Sequence, residues 1–172
     1  MTVKLFRRRE QPPADVLAAL DTGERVVSWA DTAAGTHVAA TTHGLWWPDA
    51  AGPRRIPWHH VDKVVWQAET MSVTEADVVD DDFLVDRPAV HARITTPRDL
   101  PPVVRKRVEQ NIVRTELATV AGGAVRFVGR RQPGRDGVLW RARLEPGTPD
   151  TESVRSAVRA RLARLRASGG DR

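Results

Sequence analysis

The chain has 172 residues, with 27 Lys and Arg against 22 Asp and Glu for a formal net charge of +5; it has no Cys, no Tyr and 6 Trp. The lack of Cys excludes disulfides, thiol nucleophiles and cysteine metal sites, and a hydrophobic content of 41% excludes wholesale disorder. No apolar run approaches the ~20 residues that span a bilayer, and the charged start Met1-Thr2-Val3-Lys4-Leu5-Phe6-Arg7-Arg8-Arg9 lacks the apolar stretch of a secretory signal, so a cytoplasmic, single-domain protein with an appended subdomain is expected.

Residues 1–23 read as a basic arm followed by a short helix. Pro12-Pro13 opens the helix, Val16, Leu17 and Leu20 share one face, and Gly23 ends it. From Arg25 the hydrophobic period shortens to that of a strand. Strands are expected from Arg25, over Thr36–Thr41, from Leu45-Trp46-Trp47, over Arg54–Trp58 and Lys63–Glu69, around Met71 and Val73, and over Val90–Ile94. Turn chemistry separates them at Gly35, His43-Gly44 and Pro48–Pro53. Asp80-Asp81-Asp82 lacks the Gly and terminal Glu of a calcium loop and reads as a solvated loop or strand end, or as a counterpart for arginines further on.

Pro101-Pro102 starts a helix expected to run to Val120, with Val104, Val108, Ile112, Val113, Leu117 and Val120 as its stripe and Gly122-Gly123 as its stop. A hairpin over Val125–Leu144 turns at Gln132–Gly137. Asp150 or Thr151 then caps a last helix whose Val154, Val158, Leu162 and Leu165 form the buried stripe, ended by Gly169-Gly170. The fold class expected is α+β: an antiparallel β sandwich or barrel over residues 24–121 capped by a helix, plus a C-terminal β-β-α element over 122–172.

Three stretches carry a family resemblance: Gly23-Glu24-Arg25-Val26-Val27, then Val38–Trp47 where a strand ends in Thr, turns and restarts at Leu45, then Arg55-Ile56-Pro57-Trp58-His59-His60-Val61-Asp62-Lys63-Val64. Together they resemble bacterial pleckstrin-homology-like domains over a little over half the chain. The resemblance implies two packed antiparallel sheets with a helix plugging one open end, and a binding or assembly role rather than catalysis. It does not imply inositol-phosphate binding. The loop that would supply the basic residues, Asp31-Thr32-Ala33-Ala34-Gly35-Thr36, has no Lys or Arg.

Charge is split along the chain. Residues 1–100 carry 11 basic and 15 acidic side chains, and residues 101–172 carry 16 and 7. Only Lys4, Lys63 and Lys106 are lysines, an Arg and Ala bias that resembles GC-rich actinobacterial coding. The asymmetry fits either a polyanion partner or an acidic half docked on a basic half. The candidate partner or anion surface is the Arg face of the hairpin (Arg126, Arg130, Arg141, Arg143) together with Arg155 and Arg159 of the last helix, where a contiguous stripe would suit phosphates. The candidate aromatic contact is Trp46 and Trp47 beside Arg54 and Arg55; the competing reading buries both rings, one of them under a helix. The histidines, His37, His43, His59, His60 and His91, show no metal or nucleophile motif, so no catalytic, cofactor or metal residue is assigned and no cofactor is expected. The leading expectation is a non-enzymatic cytoplasmic module acting on an unknown protein partner. A nonspecific nucleic-acid or anionic-surface binder is the second reading, and an enzyme with an unrecognised His and carboxylate site is the third.

Overall fold

A computed structural model describes residues 10–168 other than 133 and 135. The expected basic arm at 1–9, two turn positions of the hairpin and the Gly169-Gly170 stop lie outside the described residues. Helix α1 (Ala14–Ala19) leads into β1 (Val26–Thr32), β2 (His37–Thr41), β3 (Gly44–Trp47) and β4 (Arg54–Pro57). A 3-10 turn (Trp58–His60) connects to β5 (Val61–Gln67), β6 (Thr70–Val79), β7 (Phe83–Asp86) and β8 (Val90–Thr96), followed by α2 (Leu100–Asn111). The chain continues through β9 (Ile112–Val120), β10 (Gly123–Arg130), β11 (Leu139–Leu144) and α3 (Glu152–Ser168).

The first seven-stranded part runs β4-β3-β2-β1-β8-β6-β5, every neighbour antiparallel. Its core collects Leu45, Trp47, Ile56, Trp58, Met71, Val73 and Ile94, and α2 inserts Leu100 and Val104 into the same cluster. The Ser28 hydroxyl donates to Asp99 Oδ1 at 2.5 Å, which fixes the start of α2 against β1. Helix α1 covers the other face of the β1–β3 region, where Val16 packs with Ala39 and Trp46.

Strand β6 belongs to two sheets at once. Thr70–Val73 pair with β5 on one side and β8 on the other, whereas Ala76–Val79 pair with β7. Phe83 of β7 then meets Ala142 of β11 in parallel, and β10 and β9 follow, so ten of the eleven strands form one hydrogen-bonded path, from which β5 branches at β6. A second core under α3 holds Phe83, Val125, Phe127, Trp140 and Ala142 against Val154, Val158, Leu162 and Leu165, the stripe expected from the sequence.

Two elements differ from the sequence expectation. The helix expected to reach Val120 ends at Asn111, and Ile112–Val120 is strand β9. Ile112, Val113, Thr115, Thr119 and Val120 are β-branched, which favours a strand. Pairing with β10 from Ile112 to Val120, with Ala118 and Val120 turned toward α3, gives this segment more burial than a lone helix face would. The spacing misled because 112, 113, 117 and 120 match a helical face, whereas in the strand Val120 turns toward α3 and Leu117 toward the opposite, exposed side. Strand β7, four residues directly after the Asp run, was absent from the expectation because so short a strand has no period to read. The C-terminal element is therefore a β9-β10-β11 meander plus α3, extended by β7, and the capping-helix part of the 24–121 unit ends near residue 111.

The β9–β10 link is a two-residue turn, Ala121-Gly122, with both φ positive at 47° and 83°. Ala121 bears a left-handed backbone that Asn or Gly adopts more readily. The Ala121→Asn variant is expected to gain about 0.5–1 kcal/mol in denaturant unfolding; an unchanged or lower midpoint would contradict this turn assignment.

Candidate functional site

Glu24 sits immediately before β1 with a fully buried side chain. Its Oε1 accepts hydrogen bonds from the Thr41 hydroxyl and, at 3.0 Å, from Trp46 Nε1. Its Oε2 accepts from the Asp21 backbone N–H at 3.2 Å and from the Arg55 guanidinium at 3.1 Å. Thr41 Oγ1 also lies 3.0 Å from the Gly44 carbonyl oxygen and accepts from the His43 and Gly44 N–H groups, tying off the β2–β3 turn. Gly44 is required here by close approach, since a Cβ would stand 2.5 Å from the Ile56 carbonyl oxygen of β4. Burial works to raise the Glu24 pKa, but the hydrogen bonds from Thr41, Asp21, Trp46 and Arg55 outweigh it and hold the carboxyl below the ordinary Glu range.

This hub decides the fate of the candidate aromatic contact. Trp46 is 7% and Trp47 is 4% exposed: Trp46 lies under α1 with its indole N–H on Glu24, and Trp47 lies in the first core. Arg55 pairs with Asp21 and Glu24, and Arg54 pairs with Glu75 at 2.8 Å and Asp49 at 3.3 Å. The candidate outward Trp surface is thus closed, and both rings are buried as in the competing reading. Asp21, Glu24 and His43 are the one trio among the described residues with metal-ligating atoms mutually in range, and the Arg55 cation is already bound to both carboxylates.

The candidate arginines fall on two sides of the C-terminal sheet rather than on one stripe. Phe127 pairs with Ala142 on the α3 side, so Arg126, Arg130, Arg141 and Arg143 point the other way. Arg130 is 4% exposed and donates to the Val61 carbonyl oxygen at 2.8 Å and to Asp62 Oδ1 at 3.1 Å. Arg143 joins the same Asp62 oxygen at 2.8 Å and also pairs with Asp86. Arg126 pairs with Glu145 at 2.7 Å, and Arg141 is half-buried with a hydrogen bond to the Trp140 carbonyl oxygen. On the opposite side, Arg155 pairs with Asp80 and Asp150, Arg159 with Glu152 and the Asp80 and Asp82 carboxylates, and Arg166 with Asp82. Arg155 and Arg159 also stand over the Phe83 ring. The acidic half is docked on the basic half, the second of the two readings of the charge split.

The histidines are dispersed. His37 approaches Asp15 at 3.2 Å and Asp31 at 3.5 Å, and His91 shares a 2.7 Å hydrogen bond with Ser72 on an exposed sheet face. His59 and His60 meet edge to face at 4.5 Å. Burial lowers the pKa of His60; Glu75 and Asp77 oppose it, and Arg130 and Arg141 lower it further. Three open grooves of roughly 680–860 Å³ mark the surface. One lies beside Trp58, Arg107 and Asn111, one beside Trp29, Arg98 and Asp99, and one beside Trp47, Arg54 and His91. In the second, the Arg98 guanidinium stacks 3.4 Å from the Trp29 ring centre while pairing with Glu10 and Asp31. His91 is the one histidine lining any of these three. No helix among the described residues is long and apolar enough to cross a membrane.

No protein-family model matches the sequence, and no curated protein or solved structure matches it. Glu24 and Asp62, which organise the two charged clusters, carried no site assignment from sequence. The only signals were an acid between Gly23 and a strand, and an acid beside Lys63 at the start of a strand.

Replacing Glu24 with Gln is expected to cost about 1–3 kcal/mol at neutral pH, because a buried amide N–H2 replaces one of the two oxygens that accept from its donors, while Arg55 keeps Asp21. A carboxyl with a depressed folded pKa stabilises fully above the unfolded value of about 4.3 and loses that contribution as pH falls through the folded value. The wild-type advantage over Glu24→Gln should therefore shrink below about pH 4 in denaturant titrations; a constant gap would contradict the buried ionised hub. Arg130→Ala is expected to lose about 1–3 kcal/mol by leaving the Val61 carbonyl without its donor and Asp62 with Arg143 alone, and calorimetry of the variant checks it.

Proposed function

We propose that the chain is a non-enzymatic binding or assembly module, pleckstrin-homology-like over its first β unit, that works in the cytoplasm through contacts with another protein. The observation that carries this reading is convergence. Glu24 of the first resembling stretch, Thr41, Gly44 and Trp46 of the second and Arg55 of the third meet at a single hydrogen-bonded hub. Residues far apart in sequence therefore meet at one hub, which supports reading the three stretches together. The seven-strand order β4-β3-β2-β1-β8-β6-β5 with α2 packed into its core supports the same reading.

Two further features favour protein contacts over polyanions. Asp31, in the β1–β2 region, is neutralised by Arg98, and the loop 32–36 beside it has no Lys or Arg. Arg126, Arg130, Arg143, Arg155, Arg159, Arg161 and Arg166 are engaged by Asp62, Asp80, Asp82, Asp86, Glu116, Glu145, Asp150 and Glu152. A phosphate backbone would have to displace these carboxylates before it gained a contact with those seven. Exposed apolar side chains, by contrast, remain at Leu17, Val85, Val113 and Leu117.

The test sets protein against nucleic acid. Fluorescence anisotropy with labelled single- and double-stranded oligonucleotides should show binding weaker than about 100 μM at physiological salt and little salt dependence. Cross-linking in extracts of the source cells, read by mass spectrometry, should join a defined protein to surface residues of the first β unit. Tight oligonucleotide binding that falls with a log–log salt slope of about −4 or steeper would replace this reading with the polyanion one.

A further inference from the structure

Strand β9 ends the strand order, and among the described residues nothing pairs with its outer edge. It is nine residues long and contains no Pro or Gly. The opposite end of the path is blunted as free edges usually are: β4 has four residues, begins with the ion-paired Arg54 and Arg55 and ends in Pro57. β9 is longer and free of Pro, with a bulge only at its Val113 end. Leu117 is 62% exposed, the highest value for any large hydrophobic residue among those described, and Val113 is 44% exposed. A long, open, apolar-bearing edge is a template for a further strand.

The sequence of β9 specifies what that strand would be. Two sheets join edge to edge with their faces continuous only about a two-fold axis perpendicular to the sheet, which pairs residues antiparallel and face to face. With the axis through Thr115, Val113 of one copy lies opposite Leu117 of the other, and Arg114 lies opposite Glu116, each twice. Moving the axis by one residue sets Arg114 against Arg114, or Glu116 against Glu116. Like charges directly opposite each other are unfavourable, so the Thr115 register is favoured over both neighbouring ones.

The faces agree with this register. Glu116 pairs across to Phe127 and so shares the α3 side, where it already binds Arg161; Leu117 pairs across to Arg126 and shares the opposite side. The charge pairs would thus line one face of the junction and the apolar pairs the other. A carboxylate accepts two guanidinium groups, so Glu116 can hold Arg161 of its own chain and Arg114 of the partner subunit. Arg114 makes no ion pair among the described residues, and a partner carboxylate would satisfy it. Val113, the extra residue of a bulge opposite Gly129-Arg130, marks the end of the paired stretch.

We propose that a second copy of this chain docks antiparallel along β9, with the two-fold axis at Thr115, so that one sheet runs through both subunits. This is independent of the functional reading above, because it rests on the edge, its exposure and its self-complementary charges alone.

Sedimentation of the full chain tests it. Wild type should be a dimer. Arg114→Glu alone and Glu116→Arg alone should each weaken self-association at least ~10-fold, since each places two like-charge pairs across the axis. An equal mixture of the two variants restores opposite charges at both places and should recover a heterodimer. Circular dichroism and thermal melts of each variant establish that it is folded. A wild-type chain that stays monomeric up to about 1 mM, or an Arg114→Glu chain that dimerises like wild type, would overturn the proposal. Folded variants that fail to recover association on mixing would overturn it as well.

Discussion

A single buried carboxylate holds the first β unit together. Glu24 accepts from a hydroxyl, an indole, a backbone amide and a guanidinium, drawn from β2, β3, the α1–β1 loop and β4. An ionised group away from water is tolerable only when its lone pairs are filled by well-placed donors, and here both oxygens are. The geometry is therefore mutually constraining. Trp46 can sit under α1 only because its N–H has an acceptor there, and β4 can lie close to the β2–β3 turn only because Gly44 leaves room for its backbone. An arrangement that satisfies one partner without the others leaves a buried polar group unpaired.

A different kind of interaction joins the C-terminal sheet to this unit. Strand β6 provides the covalent and hydrogen-bonded continuity, and Arg130 with Arg143 closes the seam on Asp62 and Asp86. Arg130 is the decisive member. Burial presses against its charged form, yet a guanidinium does not give up its proton, so the Val61 carbonyl and Asp62 must be in place for the sheet to dock. On the far side, Arg155, Arg159 and Arg166 hold the Asp80–Asp82 turn against α3. The net charges of opposite sign on the two halves of the sequence meet across this contact. The outward character of the protein is set instead by open strand edges and a few exposed aliphatic side chains.

Much of the fold was legible from residue order because it depends on local rules. Alternation identified β1–β6, β8, β10 and β11, turn residues separated them, and the α3 stripe of Val154, Val158, Leu162 and Leu165 is the buried face. Less of the site was legible. The Arg residues were recognised as a feature, but their partition between two sheet faces depends on which neighbour each face meets. Trp46-Trp47 was an aromatic pair with an undecided outlook, and both rings are buried because β3 is covered by α1 on one face and by the core on the other.

By itself the sequence determined the α+β composition, the positions of most strands and helices, the split of charge and the absence of cysteine chemistry, since each follows from period, turn preference or composition over a few residues. Tertiary structure alone decided that 112–120 is a strand, that β6 serves two sheets, that Glu24 and Asp62 are the anchoring acids, and that the arginines face carboxylates of the same chain. The physical reason is the same in each case. Pairing across a sheet and neutralisation of a buried charge depend on partners tens of residues away, and their free energy outweighs the small local preferences that a sequence window can read.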